Sequence, residues 1–209
     1  SGNTCRKAVK FTFSDGEMSS VVVLKGVAMM QFLNPPVNSL SLHFLTEFAI
    51  SLEKLKLYRS CRGVIITSTL PKMFSAGLDI YPEHCAEFWK AVQDAWLKLY
   101  GSTKVTIATI NGSRPAGGCL LALCCDYRIM TDNRHYNIGL NEKQLAGFQL
   151  VPEDKVLNTA SETMMKWLAV PDHALQINKS MMRKCTIDKL LANREADTTN
   201  FVSFFSVAS

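Results

Sequence analysis

Residues 105 to 128 read VTIATINGSRPAGGCLLALCCDYR. An apolar, β-branched run, Val105 to Ile110, ends at Asn111-Gly112 and passes a proline. It reaches the adjacent pair Gly117-Gly118, and a second apolar run follows at once. The first run has the composition of a strand buried on both faces, and the second that of a buried helix. Two residues without side chains at a helix start serve either a tight turn or a ligand that must approach backbone. The first N–H groups of a helix lack intrahelical partners and carry the positive end of its dipole, so such a start can receive an anion or a developing oxyanion.

A second segment repeats the plan. Gly63 to Ser68 is another short β-branched run, and it delivers the small-residue loop Phe74-Ser75-Ala76-Gly77-Leu78-Asp79. One N–H from each loop can converge on a single oxygen. Taken alone, either glycine turn is more often structural than catalytic, because strand-to-helix turns demand unusual dihedrals. No G-x-G-x-x-G, P-loop or G-x-S-x-G pattern occurs, which removes the main support for dinucleotide, NTPase and α/β-hydrolase readings.

Working outward, residues 21 to 33 read as strand material broken at Gly26, a hairpin, ended by Asn34-Pro35-Pro36. Leu42, Leu45, Ala49, Leu52 and Leu55 recur at helical spacing, with Ser39 or Ser41 as the cap. A second helix covers Pro82 to Leu99, and a third runs from Gly117 to about Cys125. Tyr127 to Met130 and Tyr136 to Gly139 read as short strands. Helices over Glu153–Ala169, Asp172–Lys184 and Ile187–Phe205 complete the chain. This alternation is an α/β order with right-handed crossovers. The division expected is residues 1–150 as a core carrying the site and 151–209 as a helical segment.

With 209 residues, 47% hydrophobic and 20% charged, the chain has the composition of a globular domain with a substantial core. The net charge of +5 comes from lysines and arginines scattered singly, which argues against a nucleic-acid surface. No apolar run reaches membrane-spanning length, no targeting segment is read, and Val207-Ala208-Ser209 matches no peroxisomal address. Seven cysteines without a C-x-x-C pair read as small buried hydrophobes, so neither a disulfide framework nor a zinc site is expected. The four histidines are dispersed and read as surface or partly packed residues. Trp89 and Trp96 read as core or pocket wall, and Met181-Met182 as packing.

Four segments together resemble the crotonase (enoyl-CoA hydratase/isomerase) superfamily, most closely its isomerase branch of mitochondrial fatty-acid oxidation. They are Asn34-Pro35-Pro36-Val37-Asn38-Ser39-Leu40, the loop Phe74 to Asp79, the segment from Asn111-Gly112 to Gly117-Gly118-Cys119, and Cys125-Asp126-Tyr127-Arg128. The resemblance implies a ββα spiral core with C-terminal helices, and a site for an acyl-CoA thioester. It places the two N–H donors of an oxyanion hole on Leu78 and Gly117, and lines the thioester end of the substrate with Ala76, Gly77, Leu78, Asp79 and Ile80. It places the catalytic carboxylate on Glu142, which without that context reads as a solvated loop residue.

Hydratases of this family carry a second glutamate on the helix after the double glycine, and Leu120 stands there in this chain. The implied activity is therefore movement of a 3-enoyl-CoA double bond to the 2-trans position by one carboxylate. No metal or cofactor is implied beyond the coenzyme A of the substrate. The resemblance also implies a homo-oligomer, a trimer, in the mitochondrial matrix. Two departures stand out: Ile80 to Glu87 is short, and Leu145 leads almost directly to Val151-Pro152-Glu153 where the family continues through further helices. An apolar face left uncovered by that deletion supports a second reading, a non-catalytic acyl-CoA-binding or assembly subunit.

Overall fold

The computed structural model describes residues 9–11, 19–113, 116–133, 135–136 and 147–207. The chain opens with strands β1 (Val9–Phe11), β2 (Ser19–Leu24), β3 (Val27–Phe32) and β4 (Ser39–Leu40), then helix α1 (Leu42–Leu57) and strands β5 (Gly63–Ser68), β6 (Lys72–Met73) and β7 (Gly77–Leu78). It continues through α2 (Cys85–Tyr100), β8 (Val105–Ile110), β9 (Gly112–Ser113), α3 (Gly117–Cys124), β10 (Tyr127–Thr131) and β11 (Gln149–Val151). Helices α4 (Val156–Leu168), α5 (Asp172–Ala192) and α6 (Arg194–Val207) end it.

A seven-stranded sheet in the order β1-β2-β3-β5-β8-β10-β11 forms the centre. Strands β1 to β3 pair antiparallel, whereas β3, β5, β8, β10 and β11 run parallel. The turn between β2 and β3 places Lys25 and Gly26 at positive φ, 51° and 83°, the geometry that lets a two-residue hairpin follow the strand twist. Parallel strands cannot be joined by tight hairpins. Helices α1, α2 and α3 lie in the intervals between the parallel strands β3, β5, β8 and β10.

Every residue of β5 and β8 is buried, because the sheet is covered on both faces. The pleat divides their side chains. Val64, Ile66, Ala108 and Ile110 join Ala28, Met30 and Phe32 under the first three helices. Ile65, Val105 and Ile107 face the other way, against Val156, Ala160, Met164 and Leu168 of α4. On the first face Phe32 meets Phe44 and Phe48 edge-on, at ring-centroid distances of 5.0 and 5.7 Å, and Phe74 at 5.3 Å. Phe74 thus ties the loop before β7 into the core.

Two small parallel pairs, β4 with β7 and β6 with β9, stitch the loops beyond the central strands together. At β9 the approach is very close. A Cβ on Gly112 would lie 2.0 Å from the Lys72 carbonyl carbon and 2.1 Å from the Met73 nitrogen. Backbone cannot swing aside as a side chain can, so Gly112→Ala is expected to cost about 3 kcal/mol or more, at or above the upper end of overpacking penalties. A melting temperature lowered by about 6–12 °C is the expected reading. An unchanged thermal midpoint would show that the two strands are free to separate.

Several expectations meet the structure directly. Ser41 caps α1, its Oγ accepting the Phe44 N–H at 3.2 Å. The strands Gly63–Ser68 and Val105–Ile110 and the helix start at Gly117 fall where the pattern puts them. Helix α2 begins at Cys85, the three residues from Pro82 forming a 3-10 turn ahead of it.

Other expectations are corrected. The two C-terminal helices do not divide at Cys185-Thr186. Residues Asp172 to Ala192 form one helix, and the chain breaks at Asn193, whose side-chain amide donates to the Lys189 carbonyl at 2.8 Å. A β-branched pair such as Thr186-Ile187 lowers helix propensity only slightly, whereas asparagine competes with the helix for backbone partners. Met181 and Met182 do not pack, being 78% and 80% exposed on α5. The strand expected over Tyr136 to Gly139 lies outside the described residues from Asn137 onward. Strand β11 straddles position 150 and adds to the edge of the central sheet beside β10.

Candidate active site

Gly117 opens α3 at the C-terminal end of the buried strand β8, and Leu78 sits in β7 beyond the end of β5. The fold brings them together. A Cβ on Gly117 would lie 2.9 Å from both Cγ and Cδ2 of Leu78, and 3.2 Å from Cδ1 of Leu40. The neighbouring Gly118 faces the other part of the same loop, where a Cβ would be 2.9 Å from the Ser75 Cβ and 3.0 Å from its carbonyl oxygen. Gly117 therefore lets the two loops close on one another, and Gly118 serves their packing.

Ala116, the residue before α3, holds φ 43° and ψ −109°. Alanine pays for that conformation in steric strain, of the order of 1–3 kcal/mol, and such strain concentrates where a backbone group must be aimed. On the other loop Gly77 has φ 99°, which a residue with a side chain rarely adopts. Both loops are thus bent out of ordinary geometry at the point where they face each other.

Residues 76 to 80 are held mainly by backbone. The Ala76 N–H donates to the Val37 carbonyl at 2.9 Å and the Asp79 N–H to the Leu40 carbonyl at 3.2 Å. Strand β7 pairs with β4 in the register Ser39–Gly77 and Leu40–Leu78. Ala76, Leu78, Asp79 and Ile80 are half-buried and Gly77 is buried, and of these Leu78 lies against Gly117. The remaining expected site residue, Glu142, lies outside the described residues.

Sequence reasoning gave no role to the residues beneath this loop. Asn38 is fully buried at φ 53°, and Ser75 is fully buried as well. Asparagine tolerates the left-handed region and bonds to nearby backbone, and that property was the available signal.

Leu120 lies one helical turn after Gly117 and points toward the C-terminal helices. It lines a cavity of about 260 Å³ with Trp96, Tyr100, Leu123, Cys124 and Leu190. A neighbouring cavity of about 300 Å³ shares Trp96 and Leu190 and is bounded by Gln93, Leu97 and Asp197. Trp96 is therefore pocket wall, one of the two places, core or pocket wall, expected for it. Trp89 stands edge-on to it at 5.7 Å and stacks on Phe201 at 4.0 Å. The Trp89 indole N–H donates to Asp197 at 2.8 Å, fixing α6 over α2.

Cys61, Cys85, Cys119 and Cys125 are buried packing residues and Cys124 is half-buried, whereas Cys185 is exposed and does not fit that expectation. Burial pushes the Cys124 thiol up to about 11, and raises Cys125 and Cys61 as well, so none supplies a thiolate at neutral pH. The four histidines are exposed. Among the described residues no group of three His, Cys, Asp or Glu is placed to hold a metal ion, and no helix is long and apolar enough to cross a membrane.

A mixed sheet whose strands deliver two strained, small-residue turns that meet at Leu78 and Gly117 defines a crotonase-type fold. The chain belongs to the enoyl-CoA hydratase/isomerase family, whose model matches residues 23–149. It is similar to enoyl-CoA delta isomerase 1, mitochondrial, of Mus musculus, at 49% identity over 87% of this chain and 78% of the relative. The Homo sapiens protein of that name is 48% identical over 87% of this chain and 75% of its own length. The crystal structure of human mitochondrial delta3-delta2-enoyl-CoA isomerase superimposes with a TM-score of 0.86 at 46% identity, covering 91% of this chain and 92% of that one.

Both sequence alignments run over 227 positions, more than the 209 residues present here, so the relatives carry residues that this chain lacks. The family match stops at residue 149, at the junction where the sequence departs from the family pattern.

Proposed function

We propose that this chain isomerises 3-enoyl-CoA thioesters to 2-trans-enoyl-CoA. The observation that carries the reading is the meeting of Gly117 with Leu78 in a chain about half identical to named enoyl-CoA delta isomerases. The N–H groups of Leu78 and Gly117 receive the thioester oxygen, with Ala76 to Ile80 along the thioester end. Loss of a C2 proton makes that oxygen an enolate, and two aimed donors stabilise the charge as it develops. Glu142 takes the proton from C2 and returns it to C4, base in the first half and acid in the second. Each half-reaction balances with no metal and no redox partner, coenzyme A being part of the substrate.

Leu120 supports isomerisation over hydration. A hydratase needs a second carboxylate to place and activate water, and this helix offers an apolar side chain at that position. The cavity beside Leu120, walled by Trp96, Tyr100, Leu123, Cys124 and Leu190, suits an acyl chain in its lining. By the same relationship the protein works in the mitochondrial matrix, as a homo-oligomer built as a trimer.

The test is direct. The purified chain, its mass measured in solution in the same sample, is given a 3-enoyl-CoA, and formation of the conjugated 2-trans product is followed by absorbance. Turnover is expected. Tight binding of the CoA ester with no product would sink the reading and leave a non-catalytic binding subunit.

A further inference from the structure

The Leu78 N–H is only as well aimed as the turn that carries it, and beside its backbone pairing with β4 that turn rests on a buried polar cluster. The Asn38 side-chain amide donates to the Ser68 Oγ at 2.7 Å and to the Phe74 carbonyl at 3.1 Å, while its Oδ1 accepts the Asn34 N–H at 2.7 Å. The Asn38 carbonyl accepts the Ser75 hydroxyl at 2.8 Å, and the Ser75 Oγ in turn accepts the Gly77 N–H at 3.2 Å. Ser68 donates onward to the Met73 carbonyl at 2.7 Å. One residue therefore contacts the loop at Phe74 and Ser75, and through Ser75 at Gly77, the residue immediately before the donor.

We propose that Asn38 is a positioning residue for the thioester-oxygen site, acting through Ser75 and Gly77 to set the direction of the Leu78 N–H. The inference rests on the oxyanion reading of Leu78 and Gly117. Three features separate this role from ordinary packing. Asn38 holds a positive φ while its carbonyl accepts from Ser75 and its side-chain amide donates to Phe74. All of its side-chain polar capacity toward this loop is used inside a fully buried site, where a bond lost is not replaced by water. And Gly77, at φ 99°, has no steric preference of its own to hold the turn, so the hydrogen bond to Ser75 and the pairing with Ser39 do so together.

A small misdirection of an oxyanion donor removes much of its benefit, since catalysis depends on where the charge appears and not on where the ground-state oxygen sits. The substrate, bound along its whole length, feels the same change weakly. A positioning role therefore predicts a fall in kcat with KM nearly constant, whereas general loosening of the fold would move both.

Two variants test this. Asn38→Asp keeps size, the accepting oxygen and tolerance of positive φ but loses both donated bonds. Ser75→Ala removes the relay and leaves Asn38 in place. Each is compared with the unaltered chain for isomerisation of a 3-enoyl-CoA and for the ultraviolet band of the enolate formed when a 3-ketoacyl-CoA binds. The expected result for both is a kcat about 10–100-fold lower, KM within threefold, and a weakened enolate band at full occupancy. If one variant fails to fold, the other carries the comparison. Unchanged kcat and an unchanged enolate band in either folded variant would overturn the role of Asn38. No enolate band in the unaltered chain, with 3-ketoacyl-CoA bound, would instead overturn the oxyanion reading beneath it.

Discussion

Glu142→Gln is expected to lower kcat for 3-enoyl-CoA isomerisation by about 10²–10⁴-fold, the usual worth of a positioned acid–base group. The amide has the size of the carboxylate and keeps its hydrogen-bonding capacity, but it cannot take a proton from C2. Binding of the CoA ester, measured by calorimetry, is expected to stay within about threefold, because the two N–H donors and the loop Ala76 to Ile80 are untouched. The comparison is sharp because Leu120 leaves α3 without a carboxylate to substitute for the lost base. A variant with half or more of the original rate would move the base to another residue.

Asp126→Ala is expected to destabilise the folded chain by about 3–5 kcal/mol, the cost of leaving buried cations without their counter-charge. Asp126 lies just after α3, with its side chain 4% exposed. Its carboxylate accepts from Lys179 Nζ at 2.8 Å, from Arg183 at 2.7 Å, and from the Thr106 N–H and hydroxyl at 2.8 and 3.0 Å. Lys179 also reaches the Lys104 carbonyl at 2.7 Å, and Arg183 the Tyr100 carbonyl at 2.6 Å while its guanidinium lies 4.5 Å from the Tyr100 ring centroid. This cluster holds α5 against the sheet, and α5 otherwise buries only Leu175.

Burial lowers the Lys179 pKa, and Asp126 only partly offsets it. Below its unfolded value the unfolded chain therefore holds this proton more tightly, and the Lys179 contribution to stability rises with pH toward that value. A charge carried at net cost is better removed with its partner than stranded. Asp126→Ala combined with Lys179→Met is accordingly expected to unfold at a higher denaturant concentration than Asp126→Ala alone. Equal midpoints, or a single-variant loss under 1 kcal/mol, would show that the cluster does not secure α5.

How much of this could be read from the sequence depends on segment length. Gly63–Ser68 and Val105–Ile110 are legible because six successive residues are buried and several are β-branched. Ser41 and Gly117 are legible because caps and helix starts use few residue types. Strands β4, β6, β7 and β9 have two residues each, too few for any period, yet they bring Leu78 to Gly117. The convergence came from the family resemblance and is a tertiary fact. The exposure of Met181 and Met182 was equally invisible, since an apolar residue carries no mark of what covers it. Asn38 was within reach, as a left-handed asparagine beside two prolines, but its partners Ser68, Phe74 and Ser75 are 30 or more residues away.

The pairing of β10 with β11 bears on how this family tolerates change. Ile129, Met130 and Thr131 register with Gln149, Leu150 and Val151, so both ends of the intervening segment are pinned to adjacent places on the sheet. A connection closed on fixed neighbouring points loses little by changing length, because closure entropy varies only with the logarithm of the number of residues. Leu78 and Gly117, the proposed N–H donors, belong to β7 and to the start of α3, and neither lies in that segment. The fold is therefore modular in a specific sense: the loops that bring Leu78 to Gly117 are built into the sheet and the start of α3, and the connection from Thr131 to Gln149 is anchored to the sheet at its two ends.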